Sequence, residues 1–210
     1  MLLKHIKASR TPQEVSLSFD NGQKFPVSAT DVVNLHLAVG QEFDSQQFET
    51  VANHAIRYLL LKYSLRQIAL SPKTEALLLP KIRLCLKKIA YRYSLSSSSP
   101  DSLVGETLSY LHNHKLLEPA DYASYLVHRS RHQSRLYLRY RMNLAGVKPG
   151  DYPNLAELHD DQENIRHFIN RHPIDFSDPK ARNRLIASLL RRGFAFPEVK
   201  SVIDDIAKNR

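Results

Sequence analysis

The sequence predicts a mostly α-helical chain of tandem three-helix repeats behind a small N-terminal β-hairpin module. Three observations predict it. First, one short pattern occurs twice: Leu138, Met142 and Gly146 fall four apart with Val147 following, and Leu185, Leu189 and Gly193 do the same with Phe194 following. Apolar residues at i and i+4 line one helix face, and a Gly just past them supplies the left-handed backbone that closes a helix at low steric cost. The apolar residue beyond the Gly can fold back on the last turn, so each copy reads as a short helix with a built-in stop. Second, the apolar period is helical from about Phe48 to the end. Third, Val15, Leu17 and Phe19 alternate with Ser16 and Ser18, Asp20-Asn21-Gly22-Gln23 intervenes, and Phe25 and Val27 resume the pattern. That is a hairpin signal, with Asn-Gly suited to a tight turn of positive φ.

The elements follow in order. Residues 1–50 form the β module, closed by a short helix that Thr30 or Asp31 can cap, carrying Val32, Val33 and Leu35 and stopping near Gly40. Residues 51–99 form a first, degenerate repeat. Val51, Ala55, Tyr58, Leu59 and Leu65 predict a long helix ending before Ser71-Pro72. Leu78, Ile82 and Leu86 then copy the repeated spacing, with Leu86 where the Gly should stand. Pro80 inside that run lacks a backbone donor and should bend or delay the helix. Ser94 to Pro100, with four consecutive serines, reads as a flexible joint.

Residues 100–155 form the second repeat: a helix with Leu103, Val104, Leu108 and Leu111, a turn at His112 to Lys115, an apolar plug at Leu116-Leu117, and a helix opened by Glu118-Pro119 with Tyr122, Ala123 and Leu126 on one face. Ser134 can cap the helix bearing the first full pattern. Residues 156–210 form the third, with Leu158, Ile165, Phe168 and Ile169, then the second full pattern, then Val199, Val202, Ile203 and Ile206. Three helices per unit, in series, is the coarse picture.

Composition narrows the function classes. With 24% charged residues and a mean hydropathy of -0.39, the 210-residue chain reads as soluble and folded. No apolar run approaches the roughly 20 residues that span a bilayer, and the opening residues lack a signal peptide's apolar core. A cytoplasmic location, with no membrane contact, is the default expectation. Cys85 is the one cysteine, which excludes an internal disulfide and a Cys-based zinc site.

The 30 Lys and Arg exceed the 21 Asp and Glu, for a formal +9, which favours an anionic partner. The excess is concentrated: no acid lies between Asp121 and Asp151, where Arg129, Arg131, Arg135, Arg139, Arg141 and Lys148 all fall. Arg131, Arg135 and Arg139 are spaced by four, so on a shared helix face they repel, at roughly 0.2–0.5 kcal/mol per pair. An anionic partner would turn that repulsion into attraction, and the planar Arg fork suits carboxylates and phosphates alike. The competing reading is a solvated face with salt bridges to Asp160, Asp161 or Glu163. Arg182, Arg184, Arg191 and Arg192 form a second basic group, with Asp175 and Asp178 near enough in sequence to offset it.

Other chemistries find little support. His112 and His114 are two apart, a poor spacing for helical ligands; His128 and His132 are four apart but lack a neighbouring carboxylate. No metal, cofactor, Gly-rich phosphate cradle, serine elbow or Cys-centred nucleophile is expected, and no catalytic residue. Tyr122, Tyr125, Tyr137 and Tyr140 could stack on bases, although aromatic residues on short helices more often fill small cores.

A family resemblance becomes specific at Leu111-His112-Asn113-His114-Lys115-Leu116-Leu117-Glu118-Pro119-Ala120-Asp121-Tyr122-Ala123, followed by Arg129-Ser130-Arg131, and again at Leu190-Arg191-Arg192-Gly193-Phe194. These runs resemble the signature of RecX, the bacterial regulator of the RecA recombinase. The N-terminal hairpin and Ser71-Pro72-Lys73-Thr74-Glu75 are also similar, so the likeness covers nearly the whole chain. The first helical unit departs from it, by its missing Gly, Pro80 and serine stretch. The resemblance implies tandem three-helix repeats in an elongated, curved array. It also implies a non-enzymatic role in DNA repair, recombination and the SOS response: binding the RecA filament, protein plus single-stranded DNA, in its groove, and suppressing ATP hydrolysis, strand exchange and filament growth. A weak direct contact with DNA and a monomeric state are the accompanying expectations. The alternatives are a direct DNA-binding helical-repeat protein and a scaffold for another acidic protein.

Overall fold

The structure is a computed structural model and describes residues 1–130, 132–152 and 159–208. It is mostly helical with a three-stranded antiparallel sheet at the N-terminus. The chain divides into two compact units, 1–117 and 118–210.

Unit 1 opens with β1 (Leu3–Ala8), β2 (Glu14–Phe19) and β3 (Lys24–Ser28), in spatial order β1-β2-β3. The β2–β3 hairpin is the one the alternation predicts. Its turn is looser than a two-residue Asn-Gly loop: the Gly22 N–H donates to the Phe19 carbonyl at 3.2 Å, and of the loop residues Gly22 alone has positive φ, +83°. Strand β1 escaped the sequence reading. Its register shifts between Leu3 and His5, so the inward residues Leu3 and Ile6 are three apart and the period of two is broken. Pro26 is tolerated because β3 is an edge strand.

Helix α1 (Ala29–Asn34) is capped by Ser28, not by Thr30 or Asp31: the Ser28 Oγ accepts the Asp31 N–H at 2.9 Å. Asp31 is buried instead, 2.8 Å from His54 Nδ1. Helix α2 (Ser45–Leu70) starts earlier than its apolar period, because Asp44 and Gln47 form a reciprocal capping box. Helix α3 (Glu75–Tyr93), capped by Thr74, runs through Pro80 and past Leu86, ending at Ser94 with φ +52°. Pro80 removes only the bond to the Ala76 carbonyl, near the helix start, and the apolar face continues through Leu78, Ile82 and Ile89.

The serine segment is anchored where a flexible joint was expected. Leu95 is buried in the core, the Ser94 carbonyl accepts from Gln23 Nε2 at 2.8 Å, and the Ser98 N–H donates to Glu49 Oε1 at 2.8 Å. Helix α4 (Pro100–Asn113), grouped by sequence with the 100–155 repeat, packs on α2 and α3. One core joins the sheet to these helices, with Phe19 within 5.1–6.0 Å of the Phe25, Phe43 and Phe48 rings.

Glu14 ties the sheet to α2. It accepts hydrogen bonds from Tyr58 Oη at 3.0 Å and from Lys62 Nζ, and Ser9 Oγ donates to it at 2.8 Å. Burial pulls the Glu14 carboxyl upward, but the bonds from Lys62, Ser9 and Tyr58 outweigh it and hold the carboxyl below its ordinary 4.5. Burial, and then the Glu14 carboxylate, push Tyr58 up to about 12. A depressed folded-state carboxylate contributes stability that is complete above the unfolded value and lost as pH falls through the folded one. Glu14→Gln should therefore flatten the acid limb of stability against pH below about 4.5, read from urea midpoints. Parallel wild-type and variant limbs would show that the bonds carry no linkage.

Unit 2 contains α5 (Pro119–Arg129), α6 (Arg135–Leu144), a 3-10 turn (Pro149–Asp151), α7 (Asp161–Arg171), α8 (Pro179–Arg191) and α9 (Phe196–Lys208). Helix α5 packs on α6, and α9 packs on α7 and α8 around Ile165, Ile169, Leu185, Leu189, Phe194, Val199, Val202 and Ile203. The predicted Leu158 and the separator Pro153 lie outside the described residues.

The two copies of the pattern close their helices alike. Gly146 has φ +72° and the Val147 N–H reaches back to the Met142 carbonyl at 3.0 Å; Gly193 has φ +83° and the Phe194 N–H reaches the Leu189 carbonyl at 3.3 Å. This six-to-one bond is the Schellman closure. Leu138, Met142, Val147, Leu185, Leu189 and Phe194 are all buried. The copies also meet, for Ser134 Oγ accepts the Tyr137 N–H at the start of α6 and donates to the Arg192 carbonyl at 3.1 Å at the end of α8.

Candidate functional site

The structure sorts the ten sequence-selected cations into three groups. Arg129, Arg139, Arg141, Lys148, Arg182, Arg184 and Arg191 are exposed; Arg135 and Arg192 are half-buried; Arg131 lies outside the described residues. Helix α6 begins at Arg135 because Ser134 is its cap, so of the three arginines spaced by four only Arg135 and Arg139 share this helix. Their expected mutual repulsion is offset at Arg135 by two acids. Arg135 Nη2 donates to Glu198 Oε1 at 2.9 Å and its Nε lies 3.4 Å from Asp161 Oδ2. The Asp161 carboxylate is 6% exposed and also accepts the Arg135 N–H at 2.9 Å, an anion at the positive end of α6. Asp161, one of the competing sequence partners, thus gives Arg135 a structural role inside unit 2.

Arg192 turns inward too. Its guanidinium carbon lies 4.3 Å from the Phe168 ring centroid, and Nη1 donates to Ser188 Oγ at 2.6 Å and to the Ser188 carbonyl at 3.1 Å. Arg129 and Arg141 repeat one arrangement, each donating to the phenol oxygen four residues back, Tyr125 at 2.7 Å and Tyr137 at 3.3 Å. Tyr137 first, then Tyr122, raise the Arg141 pKa further, which fixes its charge. Of the four tyrosines, Tyr122 fills the core and Tyr140 alone is fully outward. Asp175 and Asp178 accept backbone N–H groups from Ser177 and Lys180, a capping use that leaves the charges of Arg182 and Arg184 on α8 uncompensated by them.

Sequence reasoning missed the apolar part of this surface. Leu136, Tyr140 and Leu144 are 67, 59 and 58% exposed and recur every four residues on α6. They sit two positions from the buried Leu138 and Met142, about 200° around a helix of 3.6 residues per turn. A surface helix normally carries one apolar stripe; a second on the opposite face makes α6 a candidate contact surface. The signal was present as two interleaved columns of apolar residues, but the Arg pattern drew the reading. Arg139 stands between Leu136 and Tyr140 in the sequence and, among the described residues, has no ion-pair partner.

Unit 1 offers a larger groove of about 1200 Å³ beside α2 and α4, floored by Tyr58, Leu61 and Leu65. Its charges are already balanced: Arg57 lies 3.9 Å from Asp31 and 3.7 Å from Glu106, and Lys62 is bonded to Glu14. Burial pushes the Cys85 thiol up, away from a thiolate nucleophile. Among the described residues no group of three His, Cys, Asp or Glu could hold a metal ion, and no helix is long and apolar enough to cross a membrane.

No family model matches the chain and no curated protein matches it. Among solved structures, the crystal structure of regulatory protein RecX superposes on 97% of this chain and 98% of its own, with a TM-score of 0.55 and 18% identity. The chain therefore has a RecX-like fold along nearly its full length.

Proposed function

We propose that this protein binds the RecA nucleoprotein filament and regulates it, chiefly by suppressing ATP hydrolysis, strand exchange and filament extension, as a binding protein with no catalytic step of its own. The observation that supports this reading most is the RecX-like fold over 97% of the chain, together with the signature-like runs around Leu111–Ala123 and Leu190–Phe194. The α6 face adds a physical reason. An apolar stripe of Leu136, Tyr140 and Leu144, accompanied by Arg139, offers exposed anchors that a partner would desolvate beside a charge, the make-up of protein interfaces. This reading places the work in the bacterial cytoplasm, in recombinational DNA repair and the SOS response.

The test is RecA's ATP hydrolysis on single-stranded DNA, with filament binding measured in parallel. Equimolar protein should depress hydrolysis; unchanged hydrolysis and strand exchange would overturn the reading. Tyr140→Ala should weaken filament binding by about 2 kcal/mol, roughly 30-fold, as an exposed aromatic anchor would. Arg139→Glu should slow association and reduce its salt dependence. Undiminished binding by both variants would move the interface off α6.

A further inference from the structure

A recess of about 180 Å³ in unit 2 is lined by the turn before α6, the end of α7 and the cap of α8. Its walls are planar groups. The His132 and His167 rings stack at 4.8 Å and 10°, and Phe168 stacks on His172 at 4.4 Å and 22°. Gln133, Arg171 and Arg192 complete the lining, and among the described residues no carboxylate lines it. Arg192 is fixed in advance, by Phe168 beneath it and by Ser188 on Nη1. That leaves the rest of a five-donor fork, a group suited to two-pronged recognition of phosphate oxygens. Arg171 is exposed and without an ion pair among the described residues. His172 donates Nδ1 to the Phe168 carbonyl at 3.0 Å, which sets its tautomer and leaves Nε2 as its other polar atom.

We infer that this recess binds a nucleotide, with its phosphate on Arg171 and Arg192 and its base against the outer face of an exposed histidine ring, since Phe168 is already covered by His172 and Arg192. Two cations with no carboxylate beside them among the described residues call for an anion, and the exposed outer faces of the histidine rings call for a flat partner; a nucleotide supplies both. The source is either a single strand or a free mononucleotide. The inference does not rest on filament binding, because it concerns the protein alone.

The experiment follows the histidine ring resonances of the full-length ¹⁵N-labelled chain during titration with thymidine 5′-monophosphate and, separately, with a short oligothymidylate, no recombinase being present. Either ligand should move His132, His167 and His172 together. Stronger binding of the oligomer assigns the site to a strand, and equal binding assigns it to the mononucleotide. Arg171→Gln, an exposed change that leaves the core untouched, should weaken the bound ligand about tenfold. For the oligomer it should also lower the slope of log affinity against log salt by about 0.7, one phosphate contact on a single strand. Unmoved ring resonances with both ligands, or full affinity in Arg171→Gln, would overturn the inference.

Discussion

Arg135→Glu is expected to cost about 3 kcal/mol, the low end of the range for breaking a buried ion pair because the guanidinium is half-exposed while Asp161 is buried, a large share of a total that is typically about 5–15 kcal/mol. The Asp161 carboxylate is 6% exposed and Glu198 27% exposed, and Arg135 is the cation that serves both. Reversal leaves three acids together at the start of α6. Asp161 keeps the Arg135 N–H, which limits the loss without replacing the guanidinium. Arg139→Glu, four residues on and exposed, should stay within about 0.5 kcal/mol of wild type. Urea unfolding of the two variants separates the roles: stability falls in the first and filament binding in the second. Equal midpoints would show that the Arg135 pairs contribute nothing.

Gly193→Ala is expected to cost about 3 kcal/mol, from three sources. The backbone at φ +83° penalises a Cβ by roughly 1–2 kcal/mol. That Cβ would lie 2.6 Å from Ser134 Oγ, a distance no pair of such atoms tolerates. Moving Ser134 then loosens its cap on α6, worth about 1 kcal/mol, and its bond to the Arg192 carbonyl. A double-mutant cycle tests the steric part. Ser134→Ala alone should cost about 1 kcal/mol, but in the Gly193→Ala background much less, because removing the hydroxyl also removes its clash with the new Cβ. Strict additivity would mean that the two helix ends are energetically independent.

Much of the fold was legible because it rests on local physics. The repeated Leu138-Met142-Gly146-Val147 and Leu185-Leu189-Gly193-Phe194 patterns are helix face, stop and cap within ten residues, and all of it could be read along the chain. The Ser134 cap and the β2–β3 hairpin are equally local. Strand β1 was hidden by a bulge that breaks its period, and α1 starts earlier than either predicted cap, so that Ser28 caps it and Asp31, its third residue, is left to pair with His54, 23 residues away. The serine segment looked flexible by composition, yet its polar backbone groups are bound by Gln23 and Glu49. The candidate surface was legible only in part. The basic bias around Arg139 is compositional, whereas the fate of Arg135 depends on Asp161 and Glu198, 26 and 63 residues distant.

The sequence alone determined the helical class, the two Gly-closed helix ends and the acid-free basic stretch, because each depends on the identity and spacing of neighbours along one chain. Only the tertiary structure decided which charges are spent internally, which apolar column of α6 is left outside, and which rings of α6's approach and α7 share a recess. Those outcomes depend on which helix packs against which, and packing joins residues whose separation in sequence carries no information about their distance in space.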